Sequence, residues 1–370
     1  MNDSAPLRVF VDGAIMKPQL GGIATYISEL TNALVRRADV EVCIATSTTA
    51  GLAVPSSLEV IELPASVRQF ARRAIWRERR LGALVSSWNA NVVLAPTVEL
   101  PLRRLPAPAI MVVQDVGAVQ APELYGRLRW MRFAAGIPLA CRRADHIVCT
   151  THVTLAALRE SFRHFDTPCT VIGAAGRVLP RRDRAPRVPR YILNVGSMLP
   201  HKNVRTLVEA MDDPALSDAE LLIAGPIDDH ERLLFAKWRE STGASSRIKH
   251  LEFVTADALA DLYSGAAVVA LPSLYEGFGL PLLEAMQCGA PAVASSIPAH
   301  REVGGDAAIY VNQPLKLAEW AHALATVMHD TNLSDSLSRR GRDRASGSTW
   351  EAIADQMVAL AQRVSHGPRP

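Results

Sequence analysis

Short apolar runs alternate with stretches of helical period along this chain, and the alternation runs twice with a break between. In the first half "RVFVD" (8–12) reads as a buried strand. "GGIATYISELTNALVRRA" follows as a glycine loop opening a helix, with Ile23, Ile27, Leu30 and Leu34 at helical spacing. "VEVCIAT" (40–46), "LEVIEL" (58–63), "NVVLAP" (91–96), "AIMVVQD" (109–115) and "HIVCTT" (146–151) read as further strands. Strands that alternate with helices argue for a parallel sheet covered on both faces.

The break is "GRVLPRRDRAPRVPR" (176–190), with three prolines, six arginines and no periodicity, which reads as an interdomain linker. A second series then begins. "YILNVGS", "ELLIAGP", "IKHLEFV", "AAVVALPS", "APAVASS" and "AAIYVN" supply strands, and "HKNVRTLVEAM" opens a helix. Helices are expected at 257–264, 281–288 and 317–329, and "TWEAIADQMVALAQRV" closes the chain as an amphipathic helix. The layout is α/β: two doubly wound Rossmann-like domains facing across a cleft, residues 1–180 and 190–345. In such folds ligands bind outside the carboxyl ends of the strands. A length of 370 residues, 49% of them apolar, suffices for two cores.

Other totals narrow the function. No uncharged apolar run is long enough for a transmembrane helix. "MNDSAPLRVFVDG" lacks the basic and apolar regions of a signal peptide, so a cytoplasmic setting is expected. The five cysteines are scattered without a C-x-x-C pair, which reads as reduced thiols. No H-E-x-x-H and no Asp-x-Asp occurs, so no metal site is expected, and no cofactor. Charge is uneven: residues 1–189 carry 24 Lys+Arg against 15 Asp+Glu, and residues 190–370 carry 16 against 22. The densest run, "RQFARRAIWRERR" (68–80), holds six arginines and an apolar face from Phe70, Ala74, Ile75 and Trp76. Two readings fit it, a solvated helix face or a peripheral contact with anionic lipid headgroups or an acidic acceptor. Nucleic acid is not expected, since no recognition motif accompanies the charge.

The chemistry gathers in "SLYEGFGLPLLEAMQCG" (273–289), where Glu276 and Glu284 stand among apolar residues and glycines. The preceding strand ends near Pro272 and a helix begins near Pro281, a residue suited to the first helical position. Gly277 and Gly279 therefore lie at a strand end and a helix start, where free N–H groups and the helix dipole favour a phosphate or diphosphate. A carboxylate at Glu284 can accept hydrogen bonds from adjacent hydroxyls, as on a ribose, and Glu276 can hold those of a second sugar. Spacing alone favours Glu284 as a stabilising helix-end charge and Glu276 as a solvated loop residue. "NVGSMLPHKN" (194–203) repeats the pattern, with Gly196 at a strand end and Lys202 before a helix. Lys202 is a compact charge for phosphate oxygens or a surface residue. Gly21 and Gly22 would let backbone approach a ligand from the first domain.

"GGIATYISEL", "NVGSMLPHKN", "HLEFVTADALADLYSGAAVVALPSLYEGFGLPLLEAMQCGAPAVAS" and "HREVGGDAAIYVN" together resemble family 4 retaining glycosyltransferases of the GT-B fold, densely from Asn194 to about Asn312 and more loosely in the first half. The closing "STWEAIA" resembles that family's last helix, which implies that residues 349–365 return to pack on the first domain. The resemblance implies a nucleotide-diphosphate sugar donor and a glycan or lipid-diphosphate-linked acceptor. It implies that Glu276 binds donor-sugar hydroxyls, while the N–H groups of Phe278, Gly279 and Leu280 face the sugar and diphosphate. Glu284 would hold the ribose, Lys202 would neutralise the leaving diphosphate, and backbone near Phe253 and Val254 would meet the base. Gly21 and Gly22 would approach the diphosphate. Transfer would proceed at the front face with retention and without a metal, the leaving phosphate oxygen taking the acceptor proton.

Two positions depart from the family pattern. Gln114-Asp115 stands where many relatives have His-Asp, and Gln114 can hydrogen-bond but cannot carry a proton charge. His201 stands where relatives with the P-R-K-N version of this loop have arginine, and it donates to phosphate only when protonated, or through one N–H when neutral; an exposed loop histidine is the other reading. The implied activity is transfer to surface polysaccharide or lipid-linked glycan, with GDP-mannose the best guess for the donor. A sugar-nucleotide epimerase of the same fold and a binding subunit without activity are the alternatives; a phosphorylase would need a pyridoxal-phosphate lysine and more chain.

Overall fold

The computed structural model describes residues 5–17, 21–184, 189–252 and 254–367. Phe253 and residues 185–188 of the expected linker lie outside the described residues. The chain divides into two compact units, Met1–Ala175 with Ser348–Pro370, and Gly176–Gly347.

The first unit holds strands β1 (Leu7–Gly13), β2 (Val40–Thr46), β3 (Leu58–Glu62), β4 (Val92–Ala95), β5 (Ala109–Val113), β6 (His146–Cys149) and β7 (Cys169–Val171). They form one parallel sheet in the order β3-β2-β1-β4-β5-β6-β7. The second unit holds β8 (Arg190–Val195), β9 (Ala219–Ala224), β10 (Ile248–Leu251), β11 (Val268–Leu271), β12 (Ala292–Ser295) and β13 (Ile309–Val311), in the parallel order β10-β9-β8-β11-β12-β13. Strand order reverses between β1 and β4 in one sheet and between β8 and β11 in the other, the doubly wound pattern of Rossmann-like folds. The strand expected over 248–254 stops at Leu251, because β9 ends opposite it at Ala224 and offers no further partner. Strand β7 carries no apolar run; it is a three-residue edge element paired with β6.

Both faces of each sheet are covered, so neighbouring residues of one strand feed opposite cores. In the second unit Ile192, Val268 and Val293 pack with Leu207, Trp320 and Leu324 on one side. Leu193, Val269 and Ala292 pack with Leu259, Leu282 and Met286 on the other. The last helix, Trp350–His366, is capped by Thr349, whose side chain accepts from the Ala352 N–H. Trp350 is buried edge-on against Tyr26 of the helix Gly22–Val35 at 5.4 Å between ring centroids. Such a pair contributes about 0.5–1.5 kcal/mol beyond its burial. The five cysteines are free, and burial pushes the Cys43, Cys141, Cys149 and Cys288 thiols up to about 12.

The arginine run folds opposite to its apparent amphipathicity. Its helix, Phe70–Trp76, turns Arg73 and Arg77 inward and leaves Phe70, Ala74 and Ile75 exposed. Arg73 makes two bonds to Glu99, Nε to Oε2 at 2.7 Å and Nη2 to Oε1 at 2.8 Å. Arg77 pairs with both Asp12 and Glu99. Burial alone would raise the Glu99 carboxyl, but the two arginines hold it below its ordinary range. A π-helical turn at Arg77–Leu81 keeps the spacing of four, so Arg73, Arg77, Leu81 and Val85 all stay on the inner face. An α-helix of 3.6 residues per turn would carry them off it. The reading of the whole run as a solvated face is therefore corrected: buried Asp12 and Glu99 claim two of its arginines, and Arg72, Arg79 and Arg80 remain outside.

Asp12→Ala leaves Arg77 buried with one partner fewer and is expected to cost about 3–5 kcal/mol in urea unfolding. Asp12→Leu combined with Arg77→Met should recover most of that loss; a double variant no more stable than Asp12→Ala would deny the pair this role.

Candidate functional site

The second unit concentrates its polar groups outside the carboxyl ends of β8, β11 and β12, at the strand-order reversal. The Asn194 side chain donates to the Ala270 carbonyl at 2.9 Å and ties β8 to β11. Past Gly196 the chain makes a short 3₁₀ turn, Pro200–Lys202, and Asn203 adopts a left-handed conformation before the helix Val204–Ala210. The Asn203 side chain donates to the Pro272 carbonyl at 3.2 Å and to the Pro314 carbonyl at 3.0 Å. The Leu274 N–H donates to the His201 carbonyl at 2.7 Å. These bonds lay the lysine turn against the loop that follows β11.

Within that junction Lys202 Nζ lies 2.7 Å from Glu276 Oε1, and Ser273 Oγ donates to the same oxygen at 2.7 Å. Burial by itself would raise the Glu276 carboxyl. The Lys202 ammonium, then the His300 ring and the hydrogen bonds from Lys202 and Ser273, overcome this and hold it at about 2. Glu276 is thus a paired, largely sequestered carboxylate, not a solvated loop residue. His201 is likewise buried rather than exposed.

His300 comes from the first turn of the helix Pro298–Gly304. Its Nδ1 lies 3.1 Å from the Ser295 carbonyl, an oxygen that only accepts, so Nδ1 carries the proton. Burial pushes the ring's pKa down, against the opposing pull of Glu276, which favours the neutral ring with its lone pair on Nε2. The ring packs beneath Gly279. There φ is +97°, and a Cβ would stand 3.0 Å from His300 Cδ2, so glycine answers both the backbone and the space. Gly279 starts the helix Leu280–Gln287. The Leu282 N–H returns to the Gly279 carbonyl at 3.0 Å, which leaves the N–H groups of Phe278, Gly279 and Leu280 ahead of the first helical bond.

Glu284, in the second turn of that helix, is 2% exposed. Tyr263 O–H donates to its Oε2 at 2.9 Å, and the Arg177 N–H donates to its Oε1 at 3.2 Å, with Arg177 Nε at 3.6 Å from the same oxygen. The helix-end reading is corrected accordingly, since Glu284 is held by side-on partners and not by the helix start. Burial, with Glu284 beside it, raises the Tyr263 hydroxyl well above its ordinary range, so it stays a donor.

The structure therefore brings Lys202, Glu276, Gly277, Phe278, Gly279 and Leu280 together, with Glu284 a turn further on. Val254 is half-buried and packs on the same core as Phe278. Gly21, Gly22 and Gln114 belong to the other unit. Gly21 precedes the helix Gly22–Val35, and a Cβ there would meet nothing within 4 Å. Gln114 follows β5; its side-chain amide donates to the Pro96 carbonyl at 3.3 Å and its own carbonyl accepts from Thr150 Oγ1 at 3.1 Å. Ser273, Tyr263, His300 and Arg177 joined the site unannounced. His300 opens the "HREVGG" stretch and Tyr263 sits in "ADLYSG", both inside the quoted resemblance, but neither spacing nor composition marks them.

Two family models match in succession. "Glycosyltransferase Family 4" covers residues 20–174 and "Glycosyl transferases group 1" covers residues 179–344. The O-antigen chain mannosyltransferase B of Escherichia coli is 32% identical over 171 residues, 45% of this chain and 44% of that protein. The O-antigen chain mannosyltransferase RfbU of Salmonella typhimurium is 23% identical over 70% of each chain. The first of these matches thus spans less than half of its relative. Among solved structures, sucrose-phosphate synthase from Thermosynechococcus elongatus superposes with a TM-score of 0.81 at 22% identity, over 97% of this chain and 99% of that one. A likeness at that identity speaks to the fold, which is GT-B.

Lys202→Met removes the ammonium and leaves the Glu276 carboxyl to its burial. The stabilisation from a carboxyl lowered from 4.5 to about 2 is complete above 4.5 and fades as pH falls toward 2. The stability gap between the parent chain and Lys202→Met should therefore be widest near neutrality and close through that window. A gap that stays constant with pH would assign the loss to packing instead.

Proposed function

The chain belongs to the family 4 glycosyltransferases, and on that premise we propose that it moves a sugar from a nucleotide-diphosphate sugar to a glycan or lipid-linked acceptor in surface polysaccharide assembly. The observation that carries this reading is the Lys202–Glu276 pair, set beside a glycine-opened helix start at the strand-order reversal of the second unit. Cation, carboxylate and free N–H groups are the three things a sugar diphosphate asks for. Lys202 neutralises the diphosphate as it departs, and its bond to Glu276 keeps it in place until a donor arrives. Glu276 orients hydroxyls of the moved sugar. The N–H groups of Phe278, Gly279 and Leu280 meet the diphosphate, while Gly196 and Gly277 keep the approach free of side chains. Glu284 takes the ribose and Val254 stands for the base contact. The names of the two mannosyltransferase relatives support mannose as the sugar moved, and we take GDP-mannose as the donor.

Transfer with retention at the front face, without a metal, is the mechanism that the family resemblance implies and that we propose here. The leaving phosphate oxygen takes the acceptor proton, and the chain supplies charge and position rather than a nucleophile. Gln114 is the acceptor-side residue of this reading. Because an amide does not take up an extra proton near neutral pH, it also favours the alternative of a donor-binding subunit without turnover.

Membrane attachment is part of the proposal. No described helix is long and apolar enough to cross a membrane. The first unit nevertheless exposes Phe70 (40%), Ile75 (53%), Leu128 (63%) and Met131 (51%), together with Trp130, among the exposed Arg72, Arg79, Arg80, Arg127, Arg129 and Arg132. The Arg132 guanidinium lies 4.7 Å from the Phe70 ring and joins the helices Phe70–Trp76 and Arg127–Arg143 into one patch. Apolar side chains between cations suit a bilayer with anionic headgroups on the cytoplasmic face.

Thermal-shift screening with GDP-, UDP-, ADP- and dTDP-sugars should single out one nucleotide, GDP being expected. With that donor, Glu276→Ala and Glu284→Ala should each lower kcat/KM by about a hundredfold or more. Full activity in both would overturn the site. Trp130→Glu with Met131→Glu should abolish co-sedimentation with phosphatidylglycerol vesicles and leave donor binding intact; equal sedimentation of both chains would remove the patch from the reading.

A further inference from the structure

Glu284 presents a physical problem for any ligand. Its side chain is 2% exposed and both of its oxygens already accept a hydrogen bond, one from Tyr263 and one from the Arg177 N–H. Arg177 is the second residue of the second unit and lies on the segment arriving from the first. That segment sits tightly here. A Cβ on Gly176 would stand 2.3 Å from Gln287 Oε1 and 2.9 Å from Glu284 Cγ, so only glycine lets the backbone reach the carboxylate. Beyond it the segment is pinned independently. Arg182 pairs with Asp257 at 2.8 Å and Asp261 at 2.9 Å, and Arg184 Nη1 donates to the Ala266 carbonyl at 3.0 Å.

We propose that Gly176–Arg177 is a displaceable latch on the ribose carboxylate, and that a nucleoside diphosphate binds the second unit by exchanging its ribose hydroxyls for the Arg177 N–H and guanidinium on Glu284. The proposal rests on the donor-site reading given above. The exchange is close to balanced. A carboxylate taken out of water needs donors at all times, and Arg177 supplies them in the ligand-free chain. A ribose diol supplies them in the complex, while Tyr263 holds Oε2 throughout. Arg177 therefore lowers apparent affinity by the fraction of molecules in which it is seated. Because Arg182 and Arg184 hold the far end, release is confined to the residues around the Arg177–Val178 bond, whose Val178 side chain is already 65% exposed. Donor occupancy and the conformation of the inter-unit segment become one equilibrium.

Isothermal titration of the full chain with guanosine diphosphate and, separately, uridine diphosphate tests this. Arg177→Ala keeps the backbone N–H but removes the guanidinium 3.6 Å from Glu284 Oε1, and it should bind the preferred nucleotide about two- to fivefold more tightly than the parent, the worth of a half-exposed ion pair. Weaker binding would make Arg177 a ligand contact, and unchanged binding would make it a bystander; either overturns the latch. As a second measurement, the nucleotide should speed tryptic cleavage after Arg177 in the parent chain, and protection or no change there counts against the proposal. The 2′,3′-dideoxy nucleotide separates the two levels. If it binds the parent as tightly as the ribonucleotide, Glu284 does not hold the ribose and the donor-site reading itself fails. If it binds more weakly while Arg177→Ala shows no gain, the reading stands and the latch alone falls.

Discussion

A carboxylate withdrawn from water has to be met by donors, and that requirement organises both units of this chain. Asp12, in the last residues of β1, and Glu99, beyond the carboxyl end of β4, draw Arg73 and Arg77 inward. Glu276, beyond β11, draws Lys202 and Ser273. Glu284 draws Tyr263 and the Arg177 backbone. The apolar faces decide that the sheets are sandwiched between helices, but they leave the loops at the strand ends underdetermined. The paired charges fix those loops. The penalty for leaving one of these carboxylates unmatched exceeds what any single apolar contact there could return.

The difference between the two units lies in the kind of partner. In the first, arginine meets carboxylate through planar bonds, two-toothed between Arg73 and Glu99 and split by Arg77 between Asp12 and Glu99, that nothing of ordinary size would displace. In the second, the partners are a lysine on a flexible stem, a hydroxyl and a backbone N–H. Each can be exchanged for a ligand atom of the same sign at modest cost. A buried charge network can therefore serve as a fixed frame or as a socket, and the choice of partner distinguishes them.

Much of this was legible before any coordinates. The strand and helix alternation determines two parallel sheets because an all-apolar run between helical stretches has few other solutions, and the glycines and proline of the Glu276–Glu284 block mark a loop between a strand end and a helix start. What sequence could not convey was partnership at a distance. Lys202 and Glu276 are 74 residues apart and Arg177 and Glu284 are 107 apart. The arginine run misled because an amphipathic pattern assumes that apolar residues seek the interior, whereas buried Asp12 and Glu99 outweigh the exposure of Phe70 and Ile75. The π turn that makes this possible is invisible to a 3.6-residue template. The short edge strand β7 carried too few residues to register a period.

The closing helix has a consequence in time. The first unit is complete only when Trp350 seats on Tyr26, yet the whole of Gly176–Gly347 is synthesised between its sheet and that helix. At ordinary translation speeds this is a wait of roughly ten to thirty seconds. During that interval the helix Gly22–Val35 presents an unfilled apolar seat on a nascent chain. The second unit, continuous in sequence, can finish before the first. The order of maturation is then inverted relative to the order of synthesis, and the ribosome-bound intermediate is the species most in need of shelter from aggregation.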